Sequence, residues 1–457
     1  MKTEVTLPRS LNKLDVTMLI VGNMIGIGIF TTTGYIAGYV SSPAALFTVW
    51  IIGAFYSYCG ALTYAELSSR FPVSGGDYHF LKEAYHPLFG FLFGWSTFTV
   101  TYTGSVATIA VGFSTYALNF FPEDFQNWMI SFPLIPIKFN SIKLIAIIIT
   151  FIVTWVNVRG VRRGALFQNI FAISGVTVIL VFIFLGLFKG QGNSANFQPF
   201  FPDDLFLADF SLLGIAFVSI VFTYAGWTTI VYIAEEIKNP SKNIPAAMWI
   251  SVTLVASIYL LINVVYLYAL PLSGMKDVVD IGYQSMRVLF NQDAGLIFAI
   301  IIMLLTLSSL NSTILSGARI YFAMAVEGRF FKSAGKLHPR FKVPAVSLWF
   351  QCIWAVILIL SGTFSQLLTY TVFIIVLFSL LSGVALFILR RRQPENDSVY
   401  LMKGYPVLPA IYILFSAFIM ISILIHRPVE SLIGILIVCL GIPFFLYWEK
   451  RVRISSN

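Results

Sequence analysis

The chain holds 457 residues, 58% of them hydrophobic and 11% charged, with a mean hydropathy of +0.86. Soluble domains carry about 25% charged residues, so this composition excludes a water-soluble globular protein. The formal net charge of +9 requires no nucleic-acid partner, because basic loops facing anionic lipid account for it.

Apolar runs long enough to cross a bilayer occur twelve times, near 14–40, 43–69, 86–119, 141–158, 164–188, 209–236, 244–270, 293–326, 344–362, 365–391, 406–425 and 429–448. The first carries Gly22-Asn23-Met24-Ile25-Gly26-Ile27-Gly28-Ile29-Phe30 at its centre. Glycine costs a helix interior roughly 1 kcal/mol against alanine, so this cluster predicts a broken helix. The run is long and lacks a small-residue cleavage site, so it is expected to remain as the first span. Residues 70–87 read as a short cytoplasmic interfacial helix without visible chemistry. Thr99, Tyr102 and Thr103 give the third run a polar stripe able to face a cavity, as Tyr370 does in the tenth. The sixth run repeats the interruption with Phe222-Thr223-Tyr224-Ala225-Gly226-Trp227. Matching breaks in the two halves of a duplicated membrane protein mark a binding site at the midplane, which points to a solute carrier.

With the amino terminus inside, 23 of the 29 Lys and Arg residues fall in cytoplasmic segments, Arg390-Arg391-Arg392 among them. Both termini are therefore expected in the cytoplasm, on a multi-pass protein of the cell membrane. Cys59, Cys352 and Cys439 lie in apolar runs without partner spacing. The histidines His79, His86, His338 and His426 lie in loops or at helix ends, so neither a disulfide framework nor a metal cluster is expected. The carboxylates Asp15, Glu66, Glu235, Glu236 and Glu327 fall at helix ends. With no ionisable group at a midpoint, a neutral or zwitterionic solute is expected. No acid-base pair, metalloprotease motif or phosphate loop is present, so no enzyme is expected.

The breaks themselves supply polar groups. Amides around Gly26, Ile27 and Gly28, at the positive end of a half-helix, suit a carboxylate. Carbonyls near Ile25 and around Phe222, Thr223 and Ala225 suit an ammonium. Gly226 belongs to the same break, and Trp227 could wall the pocket. Close packing of helices through Gly22, Gly26 and Gly28 is the alternative explanation of the first cluster.

These residues also carry a family resemblance. Gly26-Ile27-Gly28-Ile29-Phe30 resembles the opening signature of permeases of the amino acid–polyamine–organocation superfamily. The likeness continues through Tyr64-Ala65-Glu66-Leu67, Phe71-Pro72-Val73-Ser74-Gly75-Gly76, Gln168-Asn169, Ala234 to Pro240, Asn311 and Ser316-Gly317-Ala318-Arg319, and is strongest to the L-type (LAT-like) branch. It implies an all-α membrane protein with a LeuT-like fold: two inverted five-helix repeats, 1–190 and 205–392, then two peripheral helices in 393–457, with helices 1 and 6 broken. It also implies transport of a small-molecule amino acid substrate, with the first break binding the carboxylate, the second receiving the amino group, and Phe222 gating the site.

The sequence departs from this pattern at Gly175, where many L-type relatives carry a lysine, and at Ser308 and Ser309, where they often carry glycines. Two gained hydroxyls and a lost ammonium suggest a sodium ion held by Ser308, Ser309 and the carbonyls of Gly22, Ile25 and Leu305, since oxygen ligands suit a hard cation. Both serines bonding back along their own helix is the alternative. No other cofactor is expected. A sodium-independent exchanger and a proton-coupled symporter remain open, as do a nucleobase carrier and a cation–chloride cotransporter of the same design. Oligomeric state is not legible.

Overall fold

The computed structural model describes residues 9, 11–73, 75–131, 138–159, 164–201, 210–341, 343–392 and 399–456, with the side chains of 164–172, 210–212, 233 and 452–456 outside that description. Helices α1 (Lys13–Met24) and α2 (Ile27–Ala37) are followed by α3 (Pro43–Arg70), α4 (Asp77–Ala84) and α5 (Pro87–Ser96). A π-helical turn, Thr97–Thr101, leads into α6 (Tyr102–Leu118). The short α7 (Glu123–Gln126) and an antiparallel strand pair, β1 (Met129–Ser131) with β2 (Lys138–Asn140), precede α8 (Ser141–Val158) and α9 (Gly164–Phe188). Next come α10 (Phe210–Tyr224), a 3₁₀ segment Ala225–Glu236, α11 (Pro240–Ala269), and the short α12 (Leu272–Met275) and α13 (Ile281–Leu289). The chain finishes with α14 (Gln292–Val326), α15 (Ala345–Ser361), α16 (Phe364–Arg392), α17 (Val407–His426) and α18 (Pro428–Ser456).

Among the described residues, eight helices are long and apolar enough to cross a membrane, and the α1–α2 pair, bent by 42°, makes a ninth. The other expected spans fall on α5–α6, α9 and α15, which are interrupted or give only shorter apolar stretches such as Ile173–Phe188 and Ala345–Ser361. Large apolar side chains such as Phe184, Ile297, Leu436 and Leu446 are exposed, as an outer face against lipid requires. The proposed repeat boundaries at 205 and 393 lie outside the described residues.

Local sequence explains where the first elements start. Asn12 accepts from the amides of Leu14 and Asp15 at 2.8 and 3.1 Å, and Asp15 accepts from the Asn12 amide at 3.0 Å, a reciprocal cap. Ser42 caps α3 ahead of Pro43, whose ring suits a first helical turn. At the far end of α3, Glu66 is fully buried, but it is paired with Arg70 at 2.9 Å and Arg390 at 2.7 Å and accepts from the Met402 amide. Such pairing is what makes a buried carboxylate tolerable.

The two expected breaks differ. Helix 1 is interrupted: Ile25 leaves the helix with φ −80° and ψ 84°, and Gly26 is extended at φ −128° and ψ −156°. Helix 6 does not unwind; its discontinuity is a change of helical form at Ala225, where α10 passes directly into the tighter 3₁₀ segment. A 3₁₀ run of 12 residues is far longer than usual and marks strain at this point.

Candidate functional site

Gly26 and Gly28 do not owe their identity to backbone angle, since neither has a positive φ. They owe it to close approach. A Cβ at Gly26 would lie 2.8 Å from Ser309 Oγ, and one at Gly28 would lie 2.8 Å from Thr223 Oγ1 and 3.0 Å from its Cα. Both glycines also line a cavity of about 140 Å³, so close packing and exposure to a ligand coexist at the same residues. The first amides of α2 have no intrahelical partner and open at this cavity with the positive end of the helix.

The second discontinuity is pressed against the first. A Cβ at Gly226 would lie 2.4 Å from the backbone of Asn23 and Met24, which only glycine permits. Tyr259 of α11 donates to the Met24 carbonyl at 2.6 Å and reaches the Thr223 carbonyl at 3.3 Å, so one phenol touches both discontinuities. Thr32 and Thr223 join across the same junction at 2.9 Å, and Ser312 donates to Asn23 Oδ1 at 2.7 Å. Neither Tyr259 nor Ser312 stood out in the sequence, because a tyrosine or serine inside an apolar run carries no local signal of its distant partner.

The residues singled out from sequence do not all reach the cavity. Gly26, Ile27, Gly28, Phe222, Thr223, Ala225, Gly226 and Ser309 line it. Ile25 is buried beside it, and Trp227 is instead packed edge-on to Tyr64 at 5.2 Å and over Gly60. The carbonyls of Thr223 and Ala225 already accept hydroxyls, from Tyr259 and from Thr228 at 2.9 Å. Of the sodium-site set, Ser309 lines the cavity whereas Gly22, Leu305 and Ser308 do not. Neither serine hydroxyl bonds back along α14 among the described residues; the nearby back-bonding hydroxyls belong to Thr306 and Thr313. Gly175 faces Leu305, whose Cδ2 would lie 2.8 Å from a Cβ there, and the side chains of Gln168 and Asn169 lie outside the described residues.

The polar stripe of the third run also needs correction. Thr99 and Thr103 turn their hydroxyls onto Trp95 and Phe98 of their own helix, at 2.9 and 2.7 Å. Tyr102 lines the cavity as expected, and across the π-helical turn Thr101 and Ser105 line it in place of Thr99 and Thr103. Tyr370 is not among the lining residues.

The larger correction is Asp77. Residues 70–87 read from sequence as carrying no visible chemistry, yet Asp77 at the start of α4 is 3% exposed and lines the cavity. Its Oδ1 accepts from Tyr64 at 2.6 Å and from Ser382 at 2.5 Å, and its Oδ2 from Tyr232 at 2.9 Å. No cation pairs with it among the described residues. Burial raises its carboxyl above the ordinary value of 3.8, and the three hydroxyl donors oppose that rise.

A family model described as amino acid permease matches residues 11–444. The chain is 30% identical to the large neutral amino acids transporter small subunit 2 of Homo sapiens, over 99% of this chain and 83% of that protein. It is 27% identical to the serine/threonine exchanger SteT of Bacillus subtilis, over 97% of this chain and 98% of that one. It is 28% identical to the Asc-type amino acid transporter 1 of Mus musculus, over 98% of this chain and 83% of that protein.

Proposed function

This chain belongs to the amino acid permease family, and on that premise we propose that it moves neutral L-amino acids across the cell membrane by alternating access. As a multi-pass permease of the LAT-like branch it transports a small molecule and catalyses no reaction. The observation that carries the finer reading is the amino end of α2, which faces the cavity at Ile27 and Gly28 with no side-chain cap, next to the carbonyl end of α1, where the Gly26 amide turns back onto the Met24 carbonyl at 3.0 Å. Donors and acceptors a few residues apart match the carboxylate and ammonium of one zwitterion. Phe222 lines the same cavity half-exposed and is the proposed gate.

The proposed architecture is twelve spans in two inverted repeats, 1–190 and 205–392, with peripheral helices in 393–457 and both termini cytoplasmic. Basic residues concentrated on one side of the spans support that orientation.

Sodium coupling is part of the proposal, with Ser309 as its supported ligand because its hydroxyl lines the cavity beside Gly26. Ser308 and the carbonyls of Gly22, Ile25 and Leu305 complete the proposed set. Sodium-independent exchange is the second reading, favoured by the relative named as a serine/threonine exchanger.

Uptake of a panel of labelled amino acids into proteoliposomes, with and without a sodium gradient, tests both. Saturable uptake of neutral amino acids is expected. Uptake of glutamate or arginine at comparable efficiency overturns the neutral reading, and uptake unchanged when choline replaces sodium leaves exchange.

A further inference from the structure

Among the described residues Asp77 is the one carboxylate that lines this cavity, and its surroundings have a definite chemistry. A carboxylate has about four acceptor positions, and the hydroxyls of Tyr64, Ser382 and Tyr232 occupy three. Oδ1 already accepts from two hydroxyls, of Tyr64 on α3 and Ser382 on α16, so the open position is on Oδ2, which among the described residues accepts a side-chain bond from Tyr232 alone.

Aromatic rings supply the second observation. Phe93, Tyr102, Tyr232 and Phe378 all line the cavity with Asp77. Phe93 stacks on Tyr232 at 6.4 Å and meets Phe378 edge-on at 5.4 Å, and Tyr102 meets Tyr232 edge-on at 6.2 Å. A single carboxylate acceptor surrounded by aromatic faces recognises an organic ammonium, through one charged hydrogen bond and attraction to the ring quadrupoles. It suits a metal ion poorly, because no further carboxylate or imidazole joins Asp77 in a metal-binding group among the described residues.

We propose that Asp77 with Phe93, Tyr102, Tyr232 and Phe378 forms a second ammonium site in the cavity, distinct from the carbonyls of the helix discontinuities. Its ligand class is a primary ammonium. The source is either the α-amino group of a substrate passing toward α4 or an amine without a carboxylate. The inference rests on the transporter reading above, and it adds that the helix-1 amides are not needed for occupancy of this site.

The test uses the full-length protein in proteoliposomes, with n-butylamine and n-butanol as probes against uptake of a labelled neutral amino acid. The two probes share their apolar tail and differ in the ammonium. Wild type is expected to be inhibited competitively by butylamine at concentrations where butanol has no effect. Asp77→Asn should weaken butylamine inhibition about tenfold or more, and Asp77→Glu should restore it. Phe378→Leu leaves the hydroxyl contacts of Asp77 in place and should weaken butylamine inhibition severalfold, which keeps the test alive if the asparagine variant does not fold. Equal inhibition by butylamine and butanol, or equal butylamine inhibition in wild type and both weakened variants, overturns the proposal. A wild type without amino acid uptake would instead overturn the transporter reading, so the two failures are distinct.

Discussion

At the scale of single residues, the glycines of the site separate by what they touch. Gly226 meets backbone atoms of Asn23 and Met24, which cannot move aside. Gly226→Ala is therefore expected to destabilise the protein by about 1–3 kcal/mol, the usual range for overpacking, and to lower its melting temperature in detergent. A Cβ at Gly26 would meet no backbone atom but only the Ser309 side chain, Oγ at 2.8 Å, which can rotate, and Cβ at 3.2 Å, which must give slightly. Gly26→Leu is expected to leave insertion and folding intact while abolishing uptake, because the branched side chain covers the α2 amides; normal uptake by this variant would remove the helix-1 site. Ser309 and Ser308 also part company. Only Ser309 lines the cavity, so Ser309→Ala should raise the sodium concentration needed for uptake roughly tenfold or more, and Ser308→Ala should change it less. Equal sodium dependence in both variants and wild type counts against a sodium ion at Ser309.

At the scale of elements, the first break was legible because three glycines within seven residues leave a helix little reason to continue. The second was legible as a disturbance but not in kind, since one glycine in an apolar run does not distinguish a rupture from a tightened 3₁₀ turn. The π-helical turn in the third run was invisible. It adds a residue to one turn and so rotates which threonines face inward, an effect that a fixed helical period cannot capture. Asp77 was missed for a different reason. Its partners Tyr64, Tyr232 and Ser382 come from three elements far apart in the chain, and only their convergence makes a carboxylate at a loop end a cavity group. Tyr259 is comparable, and Tyr259→Phe should cost about 1–2 kcal/mol of stability by leaving the Met24 carbonyl one donor short. Thermal unfolding with uptake in the same preparation checks this; an unchanged melting temperature would mean water replaces the phenol.

At the scale of the whole molecule, the carboxyl of Asp77 is expected to make the proposed ammonium site depend on pH. Its pKa in the fold lies above the ordinary 3.8 because burial disfavours the charged form. The groups facing it from neighbouring elements are Tyr64 on α3, Tyr102 on α6 and Tyr232 on the 3₁₀ segment, while His79, Lys82 and Glu83 share its own helix. Binding of an ammonium needs the carboxylate, so butylamine inhibition should fall as pH drops through this raised value. Stability runs the other way: the protonated form is favoured in the fold, so this group's contribution is full below the unfolded value and is lost as pH rises through the folded one. Asp77→Asn should flatten both dependences, which a pH series of inhibition and melting would show. A variant with the same pH profile as wild type would assign the titration elsewhere.

The contact of Tyr259 has one more consequence. A phenol carries a single proton, yet two carbonyls from different helices stand within its reach, at 2.6 and 3.3 Å. A small turn of the O–H bond shifts the donation from Met24 to Thr223 without moving either helix. The contact therefore behaves as a bearing and not as a rivet. Whichever carbonyl takes it, one of the two discontinuities is always served by the same hydrogen.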